Sequence, residues 1–346
     1  MTTAAPARRW PIYLPTLALL LGAAVWSAFW WYAAGRAEQA ADAFMAREAA
    51  KGRVYACGER TVGGYPFRIE LRCERPSASV RDGENHLTLE APRLVAVAQV
   101  YDPRRMIVDL TGPVGFMDAQ GRRGEAAFRT AQASGTATLD GKLERASAVV
   151  ADPRLTLDGT EQAAGSRLEA HLRRTPDAGP GAYDVALALD SATSPWLGLL
   201  PVGDGPATFE LQASLTQAGE LRPAPLEERL RAFQAADGRV RIDVARLIRG
   251  DVEARIDGDL GLDAQGRLDG RLTLVARGLD EIVRGLAGGA GGRRDDLLSS
   301  LLGAGAQMLG KPAKIDDKPA TAYDLRLDRG RVELGPIRLY RLPPLY

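Results

Sequence analysis

The feature that most constrains the fold of this chain is a run of 25 residues without a charged side chain, from Trp10 to Ala34. An α-helix rises about 1.5 Å per residue, so about 20 residues cross a hydrocarbon core of roughly 30 Å. Leucines fill the middle of the run, and four of the five tryptophans of the protein lie within it. The run therefore predicts one transmembrane helix over residues 10–34.

The residues at the two ends of the run predict how this helix sits in a membrane. Arg8 and Arg9 precede it with no acidic residue among positions 1–9, and basic flanks favour the cytoplasmic side. Interfacial anchors are expected among the aromatic residues at its ends, namely Trp10, Trp30, Trp31 and Tyr32. We therefore expect a cytoplasmic tail over residues 1–9, a single span in a bacterial inner membrane, and a periplasmic body.

The alternative to a permanent anchor is a cleaved signal peptide, since Ala33, Ala34 and Gly35 resemble a small-residue cleavage site. The apolar stretch of a signal peptide usually has about 7–15 residues, and this run is longer. Bulky Trp30 and Trp31 also crowd the approach to the site. The sequence therefore favours an uncleaved signal anchor.

The pattern of the chain changes after the membrane run. Residues 35–52 are rich in alanine and end at Gly52, which predicts a helical stalk. Further on, apolar and charged residues alternate, as in Tyr323 to Asp328, and this period of two predicts antiparallel strands with one buried face. Asp-Gly occurs seven times and suits tight turns. The sequence thus predicts a mainly β fold with added helices, in which a long antiparallel meander can curve into a groove.

Three segments interrupt the strand pattern and divide the body. Residues 194–200 predict a short apolar helix or turn, residues 226–236 an amphipathic helix, and residues 279–309 a helical insert. Prolines at 223 and 225 mark a boundary. We therefore predict one β-rich half over residues 53–222 and a second over 223–346.

The chain has only two cysteines, Cys57 and Cys73. In an oxidising compartment the pair predicts a disulfide, which would stabilise the fold by about 3 kcal/mol through loop closure. In a reducing compartment two buried thiols are expected. The predicted periplasmic location favours the disulfide.

Composition and motifs argue against several functions. A formal charge of +1 gives no reason to expect a nucleic-acid partner. The only two histidines, His86 and His171, lie far apart in the sequence, which rules out an HExxH zinc site. Residues 305–311 approach a phosphate-binding loop, but Pro312 stands where the loop needs Ser or Thr, so we expect no nucleotide, cofactor or metal. A dispersed Ser/His/Asp set stays open, and no catalytic residue is predicted.

A motif between the cysteines carries a resemblance to a known family. Gly63, Gly64, Tyr65, Pro66, Phe67 and Arg68 form a turn that resembles one in the bacterial membrane-anchored proteins grouped as domain of unknown function 2125, common in alphaproteobacteria. The apolar N-terminus, the stalk and the closing Gly335-Pro336-Ile337 match that family in the same order. The body is also similar in architecture to AsmA-like envelope proteins, which implies a curved sheet with an apolar inner groove and a role in lipid traffic or the outer membrane.

These observations predict a non-enzymatic, membrane-tethered β-scaffold that binds a lipid or another apolar envelope component. Only 14 of the 312 residues after Ala34 are aromatic, so a long one-sided sheet must cover its apolar face with helices or a ligand. The alternative is a structural or interaction subunit of a cell-envelope complex. A periplasmic hydrolase is a remote third possibility.

Overall fold

The computed structural model of the protein describes residues 10–82, 85–138, 140–179, 181–199, 205–219, 226–278, 310–335 and 337–346. In these ranges the chain forms two α-helices, a short 3₁₀-helix at Pro195–Leu199 and 21 strands of one antiparallel sheet. The helices are α1 (Trp10–Ala49) and α2 (Leu226–Ala235). The strands are β1 (Arg53–Gly63), β2 (Arg68–Asp82), β3 (Asn85–Glu90), β4 (Arg93–Gln99), β5 (Asp102–Thr111), β6 (Val114–Met117), β7 (Arg123–Ala127), β8 (Thr130–Ala137), β9 (Leu143–Ala151), β10 (Arg154–Leu157), β11 (Thr160–Ala164), β12 (Arg167–Arg174), β13 (Tyr183–Ala192), β14 (Ala207–Leu215), β15 (Arg239–Arg249), β16 (Val252–Leu262), β17 (Leu268–Arg277), β18 (Lys311–Ile315), β19 (Lys318–Asp328), β20 (Arg331–Leu334) and β21 (Ile337–Arg341).

Helix α1 joins the predicted membrane segment and the predicted stalk without a break. It is long and apolar enough to cross a membrane, a property that a signal sequence near the N-terminus shares. Gly52 adopts a positive φ of 79° just beyond the helix and turns the chain into β1. Strand β1 then runs back along α1, as two ion pairs show. Arg53 Nε lies 2.5 Å from Glu48 Oε2, and further along β1 Arg60 Nη1 lies 2.6 Å from Asp42 Oδ1, which is earlier in the helix.

The sheet is a meander, as the alternating pattern predicts, and it is not closed. Its main course pairs β1, β2, β4, β5, β8, β9, β12 and β13 in that order, and continues through β14, β15, β16, β17 and β19. A second course pairs the distal part of β2 with β3, β6, β7, β10 and β11. The two courses are built from the same stretch of chain. Strand β2 belongs to both, and after it the chain passes from one course to the other within each of the pairs β3–β4, β5–β6, β7–β8, β9–β10 and β11–β12.

A two-residue break separates the two courses at five places along the chain, namely Ala91-Pro92, Gly112-Pro113, Phe128-Arg129, Asp152-Pro153 and Gly165-Ser166. Strand β2 is continuous, but Arg75 within it has a positive φ of 49° at the point where its partner changes from β4 to β3. They lie side by side: the Arg75 N–H donates to Pro92 O at 2.9 Å, and the Asp152 N–H donates to Ser166 O at 2.9 Å. Three of the five breaks contain proline, which lacks the N–H that a ladder position needs. The aligned breaks form a line across the sheet that we call the crease.

The sheet runs on through the segment where we predict a boundary between two halves. Strands β14 and β15 flank that segment and pair with each other, whereas residues 220–225 lie outside the described ranges. The division into two halves therefore stays a prediction.

The predicted helical interruptions have different outcomes. The segment 194–200 contains the 3₁₀-helix, and α2 matches the predicted amphipathic helix within one residue. Helix α2 has no buried residue, so it does not act there as a packed cover of the sheet. The predicted insert over residues 279–309 lies outside the described part of the chain.

Candidate functional site

One face of the sheet, which we call the inner face, carries three rows in which every residue is apolar or glycine. Each row consists of cross-strand partners. The first row is Cys73, Leu94, Leu110, Ala131, Val150, Leu168, Leu189, Phe209, Leu247, Ala254 and Ala276. The second is Leu71, Ala96, Val108, Ala133, Ala148, Ala170, Leu187, Leu211, Ala245, Ile256, Leu274 and Tyr323. The third is Ile69, Ala98, Met106, Gly135, Ala146, Leu172, Val185, Ala213, Ile242, Gly258, Leu272, Leu325 and Leu334.

The rows are long and only partly covered. The first crosses eleven strands, which corresponds to about 48 Å along the sheet at a strand spacing of about 4.8 Å. Large side chains in the rows stay accessible: Leu187 is 36% exposed, Leu168 39% and Met106 48%. A continuous apolar surface of this extent is rare on a protein that has no partner for it.

The crease folds part of the inner face into an apolar groove of about 970 Å³. The first row supplies Leu110, Val150, Leu168 and Leu189 on the near side of the crease, while Val114 and Leu155 lie beyond it. Trp196, in the 3₁₀-helix, also lines the groove and is 69% exposed, so it stands at the mouth.

Arg249 holds the 3₁₀-helix in this position. Its side chain is buried, and its guanidinium donates hydrogen bonds to Leu197 O and, at 3.0 Å, to Gly205 O. Because a buried guanidinium needs acceptors, these carbonyls tie the mouth of the groove to β15.

The turn motif predicted from the sequence contacts helix α1 through two tryptophan side chains. The Trp26 indole N–H donates to Pro66 O at 2.9 Å, and the Trp30 indole N–H donates to Arg68 O at 2.8 Å. Gly64 has a φ of 96°, and a Cβ there would lie 2.7 Å from Arg68 O, so only glycine fits this position without strain.

The same junction has a small apolar core. Trp30 and Ala34 of α1 pack against Ile69 and Val100 of the sheet, and all four are buried. Of the predicted membrane anchors, Trp30 therefore contacts the body, whereas Trp31 and Tyr32 are 71% and 67% exposed. Arg8, Arg9 and the side chain of Trp10 lie outside the described residues.

Cys57 and Cys73 form a disulfide that joins β1 to β2, with their Cα atoms 5.6 Å apart. The predicted disulfide is thus confirmed in the structure. Cys73 also begins the first apolar row, so the bridge secures the end of the inner face that lies beside α1.

The turn, the bridge and the sheet all lie within the residues that one family model matches. A family model described as "Uncharacterized protein conserved in bacteria (DUF2125)" matches residues 30–343. The chain belongs to this family. No curated protein and no solved structure matches it. The resemblance to the DUF2125 family is therefore confirmed, whereas the similarity to AsmA-like proteins stays a prediction.

The outer face of this DUF2125 chain is polar and contains one arrangement that resembles a catalytic triad. His171 lies 3.0 Å from Ser147 Oγ through Nδ1 and 3.0 Å from Glu169 Oε2 through Nε2. A serine hydrolase also needs N–H donors for an oxyanion. Ser147 sits in β9 between β8 and β12, so the N–H groups around it serve the two ladders. We interpret the three residues as a surface hydrogen-bond network.

The outer face also buries charged groups. Glu253 is 1% exposed and accepts from Arg246 Nε and Arg277 Nε, each at 2.7 Å. Burial raises the pKa of Glu253, but hydrogen bonds from Arg277 and Arg246 lower it by more, so the pKa lies below its ordinary value.

Two further predictions concern nucleotides and metals. Lys311, the last residue of the near-match to a phosphate-binding loop, begins strand β18, and its Nζ lies 2.7 Å from Asp324 Oδ2. Residues 305–309 lie outside the described ranges. Among the described residues, no group of three or more His, Cys, Asp or Glu side chains could hold a metal ion.

Sequence reasoning missed the crease and the contacts of Trp26 and Trp30 with the turn. A signal for the crease was present, since Pro76, Pro92, Pro113 and Pro153 each interrupt an alternating run. The tryptophan contacts left no comparable signal, because aromatic residues near the end of a membrane helix are expected in any case.

Proposed function

We propose that this protein is a non-enzymatic, membrane-anchored β-scaffold that binds a lipid or another apolar envelope molecule on its inner face. The observation that carries the proposal is the set of three uninterrupted apolar rows, the first of which lines the groove at the crease. Burial of apolar surface is favourable by about 25 cal/mol per Å², so a half-exposed face of this length is a favourable site for an acyl chain.

The size of the groove supports an acyl ligand. Its volume of about 970 Å³ lies in the range of small-molecule sites. Each methylene that moves from water into such a site contributes about 0.8 kcal/mol. Most of the residues that line it are alanine, valine and leucine, as at Ala131, Val150 and Leu189. Such side chains favour an acyl chain because they offer apolar contact without hydrogen bonds.

The position of the anchor supports a membrane source for the ligand. All three rows begin on β2, at Ile69, Leu71 and Cys73, and Ile69 packs in one cluster with Trp30 of α1. The apolar surface thus starts beside the helix that we propose to span the inner membrane, with residues 1–9 in the cytoplasm and the body in the periplasm.

Two neighbouring valines of β9 provide a matched test. Val150 belongs to the first row and lines the groove, whereas Val149 pairs with Gln132 and Glu169 on the outer face. Both are half-buried, so V150Q and V149Q introduce the same polar group on opposite faces.

Native mass spectrometry of the detergent-purified full chain should show co-purified lipid in the wild type and in V149Q. We expect V150Q to retain several-fold less. Equal lipid loading of both variants would contradict the groove as the site, and a lipid-free wild type that takes up no fluorescent fatty acid would contradict lipid binding altogether. In-cell crosslinking from Trp196 that yields discrete protein adducts and no lipid would favour the interaction subunit instead.

A further inference from the structure

We propose that the base of the sheet is itself seated in the bilayer, so that the turn Tyr65–Arg68 and the tip of the β4–β5 hairpin form a second membrane contact beside α1. This inference rests on the proposed insertion of α1. It goes beyond that insertion, because it assigns a membrane-binding surface to the folded body.

The depth of the turn follows from its hydrogen bonds to the helix. Pro66 O and Arg68 O accept from Trp26 and Trp30, and both tryptophans precede Ala34, where the uncharged run ends. At about 1.5 Å per residue, Trp26 lies roughly 12 Å below the level of Ala34. The turn therefore reaches the interface or the outer edge of the hydrocarbon whenever α1 spans the membrane, whichever compartment holds the body.

The backbone of the turn has the hydrogen bonds that such a location requires. Three consecutive carbonyls are satisfied: Pro66 O by Trp26, Phe67 O by the Val100 N–H at 3.1 Å, and Arg68 O by Trp30. In water these groups would need no protein partner. In a lipid environment an unsatisfied carbonyl costs several kcal/mol, and irregular backbone is tolerated there only when its polar groups are paired.

The hydroxyl groups at this level are paired as well. The Ser27 hydroxyl donates to Ala23 O at 2.7 Å. Its oxygen lies 2.9 Å from the Tyr65 hydroxyl, which therefore acts as the donor to Ser27. Ser27 is the polar residue of the run closest to the turn, and the contact places the polar end of Tyr65 against the helix.

The surface around the turn has the chemistry of a membrane interface. Phe67 is 64% exposed and Tyr101, at the tip of the β4–β5 hairpin, is 65% exposed. Together with Arg68 and Arg105 they border a depression of about 280 Å³. Aromatic rings favour the interface, and arginine can bury its stem in apolar surroundings while the guanidinium contacts lipid phosphates.

The test measures depth at three positions of the full chain in phospholipid vesicles. Because the native cysteines form a disulfide, a single added cysteine can be labelled with the fluorophore NBD. The variants are L20C in the middle of the uncharged run, Y101C at the base of the sheet, and A50C just beyond the C-terminal end of α1. Quenching is measured with two phospholipids, one with a nitroxide near the top of the acyl chain, at the expected depth of Tyr101, and one with a nitroxide near the end of the chain, at the expected depth of Leu20.

We expect strong quenching at Leu20→Cys and Tyr101→Cys and little at Ala50→Cys. Quenching at Tyr101→Cys no greater than at Ala50→Cys, together with strong quenching at Leu20→Cys, would overturn the second contact and leave the anchor intact. Absence of quenching at Leu20→Cys would overturn the anchor and the second contact together. Tyr101 is largely exposed at a hairpin tip, so its substitution should not disturb the fold, and the circular dichroism spectrum of Y101C checks this.

Discussion

The two faces of the sheet differ in what they bury. The outer face encloses the carboxylate of Glu253, which is 1% exposed between two arginines. The inner face leaves Leu168, Leu187 and Phe209 between 36% and 39% exposed. In most soluble domains apolar groups are buried and charges are exposed. At these positions the order is reversed. We infer that the ion pairs around Glu253 contribute to the stability of the body, and the accessible part of the inner face is the surface that we propose as the ligand site.

The largest effect is expected from Glu253. E253Q removes the buried charge that two partly exposed arginine side chains share, and breaking such a group costs about 3 kcal/mol, the lower end of the range for a buried ion pair. The melting temperature measured by circular dichroism should fall by many degrees. The control is E227Q on α2, where the ion pair with Arg231 is exposed on both sides, and no measurable change is expected there. Equal melting temperatures for E253Q and wild type would contradict the assignment of stability to the outer face.

The same carboxylate predicts a pH dependence. The pKa of Glu253 is lower in the folded protein than its ordinary value of about 4.3. Its contribution is therefore fully present above that value and is lost as the pH falls through the folded pKa. The difference in stability between wild type and E253Q should thus shrink in acid, which denaturant titrations at several pH values between neutral and about 3 would measure. A constant difference across this range would contradict the prediction.

The disulfide should have the next largest effect. Replacing both cysteines, C57A with C73A, should lower the free energy of unfolding by about 3 kcal/mol. Since Cys73 begins the first apolar row, hydrogen exchange should increase most in β1 and β2. The control is wild type kept oxidised throughout. An increase in hydrogen exchange that is equal over the whole sheet would contradict a local role of the disulfide.

A smaller effect is expected at the junction of α1 with the sheet. W30F removes the N–H that Arg68 O accepts and part of a buried ring, which should cost about 2 kcal/mol. W31F is the matched control, since Trp31 is 71% exposed. Thermal unfolding in detergent should separate the two variants, and a loss of stability in W31F equal to that in W30F would contradict the packing role of Trp30.

The smallest effect on stability is expected at the mouth of the groove. Trp196 is 69% exposed, so W196A should change the free energy of unfolding by less than about 0.5 kcal/mol. Uptake of a fluorescent fatty acid should fall several-fold, because the ring lines the groove. A variant that loses stability and keeps uptake would show that the two faces do not divide their roles in this way.

Much of the fold could be predicted from local pattern. Alternation with a period of two depends only on which face each residue occupies, so Tyr323 to Asp328 indicates a strand without any knowledge of its partners. The Asp-Gly pairs at 140–141 and 158–159 lie in turns between antiparallel neighbours, as predicted, whereas the pairs at 257–258 and 269–270 lie inside β16 and β17, where the prediction of a turn is wrong. The inner face could not be predicted as a site, because its rows depend on the register of about a dozen strands, and register is a long-range property.

The junction shows a second limit of sequence reasoning. Trp26 and Trp30 fit an interfacial belt by position alone, yet each donates a hydrogen bond to a carbonyl about 40 residues further along the chain. The periodicity of the helix carries no information about such a partner.

The crease also helps to fix the register of neighbouring strands. A slip of one residue between neighbours would turn an apolar row toward the outer face. It would also carry Pro92, Pro113 or Pro153 into a ladder position where the missing N–H leaves a carbonyl without its partner. Each proline thus disfavours the misaligned arrangement at the break that separates its two strands. These prolines lie outside the apolar rows, yet they favour the one register in which the rows are continuous.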